Sequence, residues 1–292
     1  MSKTLNNKLI LGTVQMGLPY GINNSNGQIS LDDSLAILKY AFDSGIETLD
    51  SAEAYGNAHQ AIGAFHSKYP TKRFKVITKL PNQTNENIIT KVAGYLDELK
   101  VDQLYALLFH SFSSFKKGWG NFHALRKLKV DGKIKKIGVS VYTNAEVEEV
   151  MINEEIDIIQ VPFNLFDNTN LRGDIFEKAK SKGKTIHTRS ALLQGLFFRD
   201  INEQNPTVQS LKSELIHLSD ISKAHNIPIS RLALSYCLCQ KNIENVLIGV
   251  DTLDQLKDNI ESAAHQLQSA LVEEINSIAI KNLDFLNPSL WK

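Results

Sequence analysis

Residues 46–79 read IETLDSAEAYGNAHQAIGAFHSKYPTKRFKVITK and contain the unit that recurs along the whole chain. A short apolar run, IETLD (46–50), is followed by a helical pattern and then by a second apolar run, FKVITK (74–79). Runs that are apolar on both faces are typical of parallel strands covered by helices. The alternation continues in both directions and predicts further strands at LILGTV (9–14), LYALLFH (104–110), KIGVSV (136–141), IDIIQV (156–161), TIHTRS (185–190) and NVLIGV (245–250).

Helix start and stop signals fill the intervals between these strands. Ser30 begins a variant of the capping box, and Gly45 ends the helix that follows it. Similar start signals occur at Thr143 and Thr252. Eight strand–helix units without a linker predict one domain, residues 1–292, of the α/β class with a (β/α)8 TIM-barrel architecture. A doubly wound open sheet is the alternative, but no Gly-x-Gly-x-x-Gly follows the first strand.

Composition narrows the class of protein. The 32 Lys and Arg balance 32 Asp and Glu, so there is no electrostatic reason to expect nucleic acid or an anionic membrane surface as a partner. Cys237 and Cys239 do not face each other on a predicted helix and have no ligand cluster around them, so neither a disulfide nor a metal site is expected. The sequence shows no signal-peptide pattern and no run of about 20 apolar residues. We therefore expect a cytoplasmic protein.

Titratable side chains follow three consecutive strands, on the rim where barrel enzymes carry their chemistry. Asp50 ends the second strand and Tyr55 lies in the loop after it. Lys79 ends the third strand and His110 ends the fourth. Each alone has a plainer interpretation as a solvated or structural residue, but together they suit acid–base chemistry. His59 is expected to be a surface or capping residue, and the remaining histidines to be mostly solvated.

Reduction of a carbonyl group places negative charge on its oxygen, which must receive a proton. A tyrosine hydroxyl can supply that proton, although the pKa of free tyrosine, about 10, is far above neutral pH. An ammonium such as Lys79 favours the phenolate, and a carboxylate such as Asp50 keeps that lysine charged. The set therefore predicts Tyr55 as general acid, tuned by Lys79 and Asp50, with His110 orienting the carbonyl group.

Five segments together carry a resemblance to the aldo-keto reductase family that runs nearly from end to end. They are GTVQMG (12–17), LDSAEAYG (49–56), ITK (77–79), LFH (108–110) and GKIKKIGVS (132–140). The resemblance implies a barrel of the monomeric type, a monomer or weak oligomer, that binds NADPH in extended form and reduces small-molecule aldehydes or ketones. It assigns the catalytic tetrad to Asp50, Tyr55, Lys79 and His110.

The resemblance also assigns positions to the nicotinamide and pyrophosphate parts of the cofactor. The matching residues are Gly12 and Thr13 in the first segment, Ser140 and Gln160 at the carboxamide, and Ser190 and Leu192 in the loop that supports the pyrophosphate. Arg189 falls where many members stack an aromatic ring on the nicotinamide, and a planar guanidinium can stack there too. Its charge would favour an anionic substrate; alternatively, it pairs with a carboxylate or the pyrophosphate.

Four further positions match the adenosine end of the cofactor. Asn259 matches a residue that touches adenine. Gln255 falls where an arginine often meets the 2′-phosphate, Gly249 falls where some members have a lysine, and Asp251 adds a carboxylate nearby. A phosphate prefers Arg or Lys, whereas a free ribose tolerates an acid. NADPH is the family default, but these residues predict a weaker preference for it, with NADH or dual use as the alternative.

Two other functions stay open. A barrel lyase or aldolase could form a Schiff base on Lys79, which requires a neutral lysine, and a binding protein could retain the fold without activity. The substrate also stays open, and its specificity would lie in the C-terminal tail and in loops 19–29, 111–120 and 197–207. In the second loop, Phe112, Phe115 and Trp119 form either a substrate wall or the packing of the loop onto the barrel.

Overall fold

The strands of this protein close into a barrel. The computed structural model describes residues 7–22, 24, 27–82, 86–117 and 122–291. Within these ranges, eight parallel strands are hydrogen-bonded in chain order, and the last pairs with the first. They are β1 (Leu9–Gly12), β2 (Thr48–Asp50), β3 (Lys75–Leu80), β4 (Leu104–Phe109), β5 (Ile134–Ser140), β6 (Ile158–Pro162), β7 (Thr185–Arg189) and β8 (Asn245–Ile248). The predicted (β/α)8 barrel is confirmed, and the open sheet is wrong.

Helices cover the outside of the barrel and occupy its loops. They are α1 (Val14–Gly17), α2 (Leu31–Asp43), α3 (Ala58–Lys68), α4 (Ile88–Leu99), α5 (Phe112–Lys117), α6 (Phe122–Val130), α7 (Asn144–Met151), α8 (Thr169–Ser181), α9 (Pro206–Ser210), α10 (Lys212–Ala224), α11 (Ile229–Leu238), α12 (Leu253–Ala263) and α13 (Ser269–Asn276). Short 3₁₀ helices lie at Leu193–Phe198, Leu283–Leu286 and Pro288–Leu290. Across the described ranges, no helix has the length and apolar character needed to span a bilayer.

The helix signals of the sequence act as predicted. The Ser30 hydroxyl accepts a hydrogen bond from the Asp33 backbone N–H at 3.1 Å, which caps α2. Gly45 follows that helix with φ +92°, a conformation that favours glycine. Thr143 and Glu146 form a complete capping box at α7. Local sequence therefore sets these boundaries.

Strand register decides which side chains face the barrel interior, because alternate residues point to opposite faces. A small apolar cluster of Ile10, Ile77, Ala106, Leu108 and Ile158 forms a core separate from the larger cluster that packs helices on strands. Three polar residues of the predicted site, Lys79, His110 and Gln160, lie two positions after Ile77, Leu108 and Ile158, toward the carboxyl ends of the strands. A polar layer therefore lies next to this apolar cluster, on the side of the carboxyl ends.

The structure corrects two expectations from the sequence. Strand β1 ends at Gly12 rather than at residue 14, because the chain turns into α1. His59 is only 4% exposed, with its Nε2 2.8 Å from the Thr78 hydroxyl and its Nδ1 3.3 Å from the Glu98 carboxylate, so it is not a surface residue. It lies on the face of α3 that packs against β3 and α4. His66 and His187 are also buried, so the expectation of solvated histidines fails for them.

Candidate active site

A cavity of about 440 Å³ lies at the carboxyl ends of the strands. Its wall combines residues that follow β1, β2, β7 and β8 with the first turns of α12. Most of the predicted site residues line it: Gly12, Thr13, Asp50, Tyr55, Gln160, Arg189, Ser190, Leu192, Gly249, Asp251, Gln255 and Asn259. The barrel thus brings segments that are far apart in sequence onto one rim.

Lys79 links the polar residues at one end of the cavity. Its ammonium forms an ion pair with Asp50 and donates to the Ser51 carbonyl at 2.9 Å. The same nitrogen lies 3.4 Å from the Tyr55 hydroxyl and 5.0 Å from the centre of the tyrosine ring. Lys79 and Asp50 are each 2% exposed, so water contributes little to holding either charge.

Electrostatics keep Lys79 protonated. Burial alone would lower the pKa of Lys79, but the charge of Asp50 and the contacts with Tyr55 outweigh it and hold the pKa above its ordinary value. The second oxygen of Asp50 accepts a hydrogen bond at 2.7 Å from the side-chain amide of Gln160. Asp50 is therefore fixed from two sides, and the amide N–H₂ of Gln160 is used for this purpose.

His110 lies beside the tyrosine. The two rings pack edge to face, with centroids 5.8 Å apart. Burial lowers the pKa of His110 to about 4, with the charges of Lys79 and Arg189 acting in the same direction and that of Asp50 against them. The imidazole is consequently neutral near pH 7 and carries one N–H donor.

Backbone packing sets the position of Tyr55. A Cβ atom on Gly17 of α1 would overlap the Tyr55 carbonyl, and one on Gly56 (φ +53°) would overlap the Gly17 carbonyl. Glycine at both positions lets α1 and the β2–α3 loop touch through their backbones. In the same loop, the carboxylate of Glu53 accepts from Lys91 at 2.8 Å and from the Tyr95 hydroxyl, which ties the loop to α4.

The loop after β7 has an unusual backbone. Ser190, Leu193 and Gln194 have positive φ angles of 62°, 45° and 53°, which are uncommon for residues other than glycine. Such conformations concentrate at functional sites. Gln194 donates to the Tyr20 hydroxyl at 2.9 Å, so this loop is joined to the segment after β1 across the cavity.

Arg189 ends β7 at this loop. Its guanidinium carbon lies 4.2 Å from the centre of the Tyr142 ring, and its Nη2 donates to the Val141 carbonyl at 3.2 Å. Tyr142 and Tyr20 line the cavity together with Arg189. Tyr142, two residues after the end of β5, was not selected from the sequence, and Tyr20 was predicted only as part of the specificity loop 19–29.

The adenosine end predicted from sequence lies around the start of α12. The Asp251 backbone N–H donates to the Gln255 side chain at 2.7 Å, and the Asp251 carboxylate accepts from Asn24 at 3.3 Å. Burial raises the pKa of Asp251, while hydrogen bonds from Gln255 and Gln15 oppose that shift. Gln255 thus lines the cavity while its side-chain oxygen accepts from the backbone of the segment before its own helix.

Ser140 ends β5, pairs in register with Gln160 on β6, and is 5% exposed. Like Lys79 and His110, it is not among the residues that line the cavity. It therefore lies beside Gln160 on the neighbouring strand. Trp119 and Gly120 of the predicted substrate loop lie outside the described residues.

The sequence matches the model of a known protein family over most of its length. The model of the aldo/keto reductase family matches residues 8–280. This chain belongs to the aldo/keto reductase family. As an aldo/keto reductase, it is an oxidoreductase of carbonyl compounds that uses a nicotinamide cofactor.

Individual relatives agree with this family assignment. L-galactose dehydrogenase of Arabidopsis thaliana is 26% identical over 262 residues, which cover 83% of this aldo/keto reductase and 81% of that protein. NADH-specific methylglyoxal reductase of Escherichia coli is 22% identical over 284 residues, covering 84% and 87%. In fold, the chain resembles an aldo-keto reductase from Bacillus halodurans solved in a holo form, with a TM-score of 0.76 at 18% identity over 94% of this chain and 93% of that one.

In this aldo/keto reductase, the structure decides between the two roles predicted for the second loop at one residue, Phe115. Phe115 is 1% exposed, and its ring packs against those of Phe109 and Phe112 at centroid distances of 5.7 and 6.1 Å. Phe115 therefore packs the loop onto the barrel rather than forming a substrate wall. From the other predicted substrate segments, Phe198 and Pro288 do line the cavity.

Proposed function

We propose that this aldo/keto reductase reduces an aldehyde or ketone to an alcohol, with the Tyr55 hydroxyl donating the proton to the carbonyl oxygen. The observation that carries the proposal is the buried chain from Asp50 through Lys79 to Tyr55, which ends in the cavity. The nicotinamide cofactor, when bound, supplies the hydride. The remaining steps belong to the side chains of the protein.

Each side chain has a separate task. The Lys79 ammonium stabilises the phenolate that remains when the proton of Tyr55 moves to the substrate oxygen. Asp50 keeps Lys79 charged and in place, and Gln160 holds Asp50 as a positioning residue. Neutral His110 donates its ring N–H to the same substrate oxygen and so orients the carbonyl group.

The lyase or aldolase alternative requires a different state of Lys79. A Schiff base forms from a neutral amine. The pKa of Lys79 lies above its ordinary value because the Asp50 charge outweighs the effect of burial, so the neutral amine is scarce at pH 7. This electrostatic environment favours the reductase proposal.

The rest of the cavity has donors and acceptors that fit a nicotinamide dinucleotide. The Oε1 atom of Gln15 is buried in the wall without a hydrogen-bond partner among the described residues, as expected of a group that a ligand satisfies. The proposed cofactor residues are Gly12 and Thr13, the neighbours Ser140 and Gln160, Ser190 and Leu192 at the pyrophosphate, and Gly249, Asp251, Gln255 and Asn259 at the adenosine.

We further propose that NADH is accepted at least as well as NADPH. In the part of the wall built by the segment after β8, the described residues include Asp251 and Asp258 but neither Lys nor Arg. A 2′-phosphate would face carboxylates there, whereas the free hydroxyls of a ribose can donate to them. The Escherichia coli relative is named as NADH-specific, which supports the proposal.

The catalytic assignment is tested with Tyr55→Phe. We expect the rate of carbonyl reduction to fall by about 10²- to 10⁴-fold, the usual contribution of general acid catalysis, while the cofactor still binds. Rates come from absorbance at the nicotinamide band with a panel of aldehydes and ketones, and binding from fluorescence. Tyr40→Phe, at an exposed tyrosine on α2, is the matched control and should leave both quantities unchanged.

Two results would contradict these assignments. Unchanged turnover in Tyr55→Phe would refute Tyr55 as the acid. Absence of reduced-cofactor binding to the wild-type protein would refute the reductase function and favour a binding protein. In the same titrations, strong rejection of NADH would refute the proposed cofactor preference.

A further inference from the structure

The proposed reaction gives no step to Arg189, a charged residue of the cavity that the family resemblance assigns to the nicotinamide or the pyrophosphate. It is the single Lys or Arg side chain in the cavity wall formed by the described residues. It stands at the carboxyl end of β7, in register with Pro162 on β6. Its charge therefore faces the cavity that cofactor and substrate must share.

The guanidinium is held in one orientation. The Tyr142 ring covers one face, with the guanidinium carbon 4.2 Å from the ring centre, and the Val141 carbonyl accepts from Nη2 at 3.2 Å. The Ser190 hydroxyl lies 3.5 Å from Nη1. A planar fork fixed in this way keeps further N–H donors for a carboxylate or phosphate, and it loses little entropy when it binds one.

A protein carboxylate does not satisfy this charge. Asp167, whose pKa is influenced by Arg189, instead binds Arg172 through two hydrogen bonds of 2.6 and 2.8 Å. Within the described part of the chain, Arg189 forms no ion pair. A half-buried cation without a counter-charge favours an anionic ligand, because the ligand supplies the missing partner.

The guanidinium shares its cavity with the proposed acid. Arg189, Tyr20, Tyr55 and Tyr142 all line the cavity wall. The charge of Arg189 also acts, with burial and Lys79, to lower the pKa of His110. An anion bound to Arg189 would lie in the same cavity as the Tyr55 hydroxyl.

We propose that Arg189, braced by Tyr142, is a subsite for the carboxylate or phosphate of the carbonyl substrate, so that the preferred substrates are anionic aldehydes or ketones. This inference rests on the proposed function. The cofactor pyrophosphate has the same anionic chemistry, and the experiment separates the two sources.

The test compares matched neutral and anionic carbonyl compounds. The pairs are butanal with succinic semialdehyde, 4-methylbenzaldehyde with 4-carboxybenzaldehyde, and D-glyceraldehyde with its 3-phosphate. We expect wild-type kcat/KM to favour the anionic member of at least one pair. Arg189→Met should lower kcat/KM for that member by about 10- to 150-fold, the range for loss of hydrogen bonds to a charged group, and leave its neutral partner little changed.

Two further variants sharpen the comparison. Tyr142→Leu removes the ring but keeps Arg189, so we expect a smaller loss, again confined to the anionic member. Arg126→Met removes the same charge from an exposed side chain that pairs with Glu155, and it should change neither member. The dissociation constant for NADH, measured without substrate, should be unchanged in Arg189→Met.

Several outcomes would overturn the inference. Equal losses for neutral and anionic substrates would show that Arg189 has no role in charge recognition. Weaker NADH binding, with an unchanged ratio of kcat/KM between the anionic and neutral members, would assign the guanidinium to the cofactor, at its nicotinamide or its pyrophosphate. If wild-type protein reduces neither member of any pair, the proposed function fails. In that case, calorimetry of succinate and 4-carboxybenzoate with the NAD⁺-saturated protein decides whether the subsite exists. Binding that is lost in Arg189→Met supports the subsite, and absence of binding refutes it.

Discussion

At the scale of single residues, the ion pair of Lys79 and Asp50 is the contact on which the candidate site depends. Both side chains are almost fully buried, so each charge is stabilised by the other and by the Ser51 carbonyl and Gln160. Breaking a buried pair by removing one partner is costly because it leaves an uncompensated charge. The pair should therefore matter for stability as well as for activity.

Asp50→Asn tests this expectation. Removal of the carboxylate should lower the pKa of Lys79, reduce carbonyl reduction, and lower the free energy of unfolding by about 3–5 kcal/mol. Asp43→Asn removes a carboxylate whose partners, Lys39 and Lys72, are exposed or half-exposed, and it should cost about 0–1 kcal/mol. Urea denaturation measures both. Equal costs in the two variants would contradict the special position of Asp50.

Gln255 gives a second prediction at this scale, about the cofactor. An arginine at this position would offer a cation to a 2′-phosphate, whereas Gln255 accepts from the Asp251 backbone N–H at 2.7 Å. Gln255→Arg should therefore tighten NADPH binding relative to NADH, by about tenfold for one added charge-assisted contact. Fluorescence titration with the two cofactors measures the ratio, and an unchanged ratio would place the adenosine elsewhere.

At the scale of elements, the segment from β2 to α3 is held by its neighbours on two sides. Gly17 of α1 meets its backbone on one side. On the other side, Glu53 binds Lys91 and Tyr95 of α4, a helix that packs against α3 and α6. Tyr55 lies between these two contacts. Its position therefore depends on backbone approach and not only on its own side chain.

Gly17→Ala tests the backbone contact. The added Cβ would overlap the Tyr55 carbonyl, so α1 and the loop must separate, and we expect lower kcat together with a loss of stability. Gly94→Ala on α4 is the matched control, because a Cβ there meets no atom within 4 Å. It should raise helix stability by up to about 1 kcal/mol. Thermal unfolding and steady-state rates distinguish the two, and an active, stable Gly17→Ala protein would refute the close approach.

At the scale of the whole molecule, the barrel encloses a histidine without a hydrogen-bond partner among the described residues. His187 on β7 is fully buried, and neither ring nitrogen makes a hydrogen bond to the described residues. Burial lowers its pKa to about 3, with Lys136 acting in the same direction. The unfolded chain therefore binds a proton below pH 6.5 that the folded protein does not accept, and stability falls as the pH falls toward 3.

His187→Leu should remove this contribution. Between pH 7 and pH 5, the free energy of unfolding should fall by about 2 kcal/mol more in the wild-type protein than in the variant. This is the free energy that corresponds to the part of the His187 pKa shift lying in that pH range. His217→Leu, at an exposed histidine on α10, should keep the wild-type pH dependence. Denaturant titrations at the two pH values measure the difference. A variant that loses as much stability as the wild type would show that His187 does not titrate in this way.

Much of the fold followed from the sequence because its signals are local. Apolar runs, capping residues such as Ser30 and Thr143, and Gly45 each act over a few residues, and the structure confirms them. His59 was predicted wrongly because its partners, Thr78 and Glu98, come from other elements. The single domain over residues 1–292 and the monomeric or weakly oligomeric state stay predictions.

By itself, the sequence determined the barrel and the set of groups at its rim, because strand ends that share one edge must bring Asp50, Lys79 and His110 together. Only the tertiary structure decided what each group contacts. Gln160 reaches Asp50 across 110 residues of chain. Arg172 binds Asp167. Arg189 instead stacks on Tyr142 and has no carboxylate partner among the described residues. Such choices depend on side-chain geometry between distant strands, which no local pattern encodes.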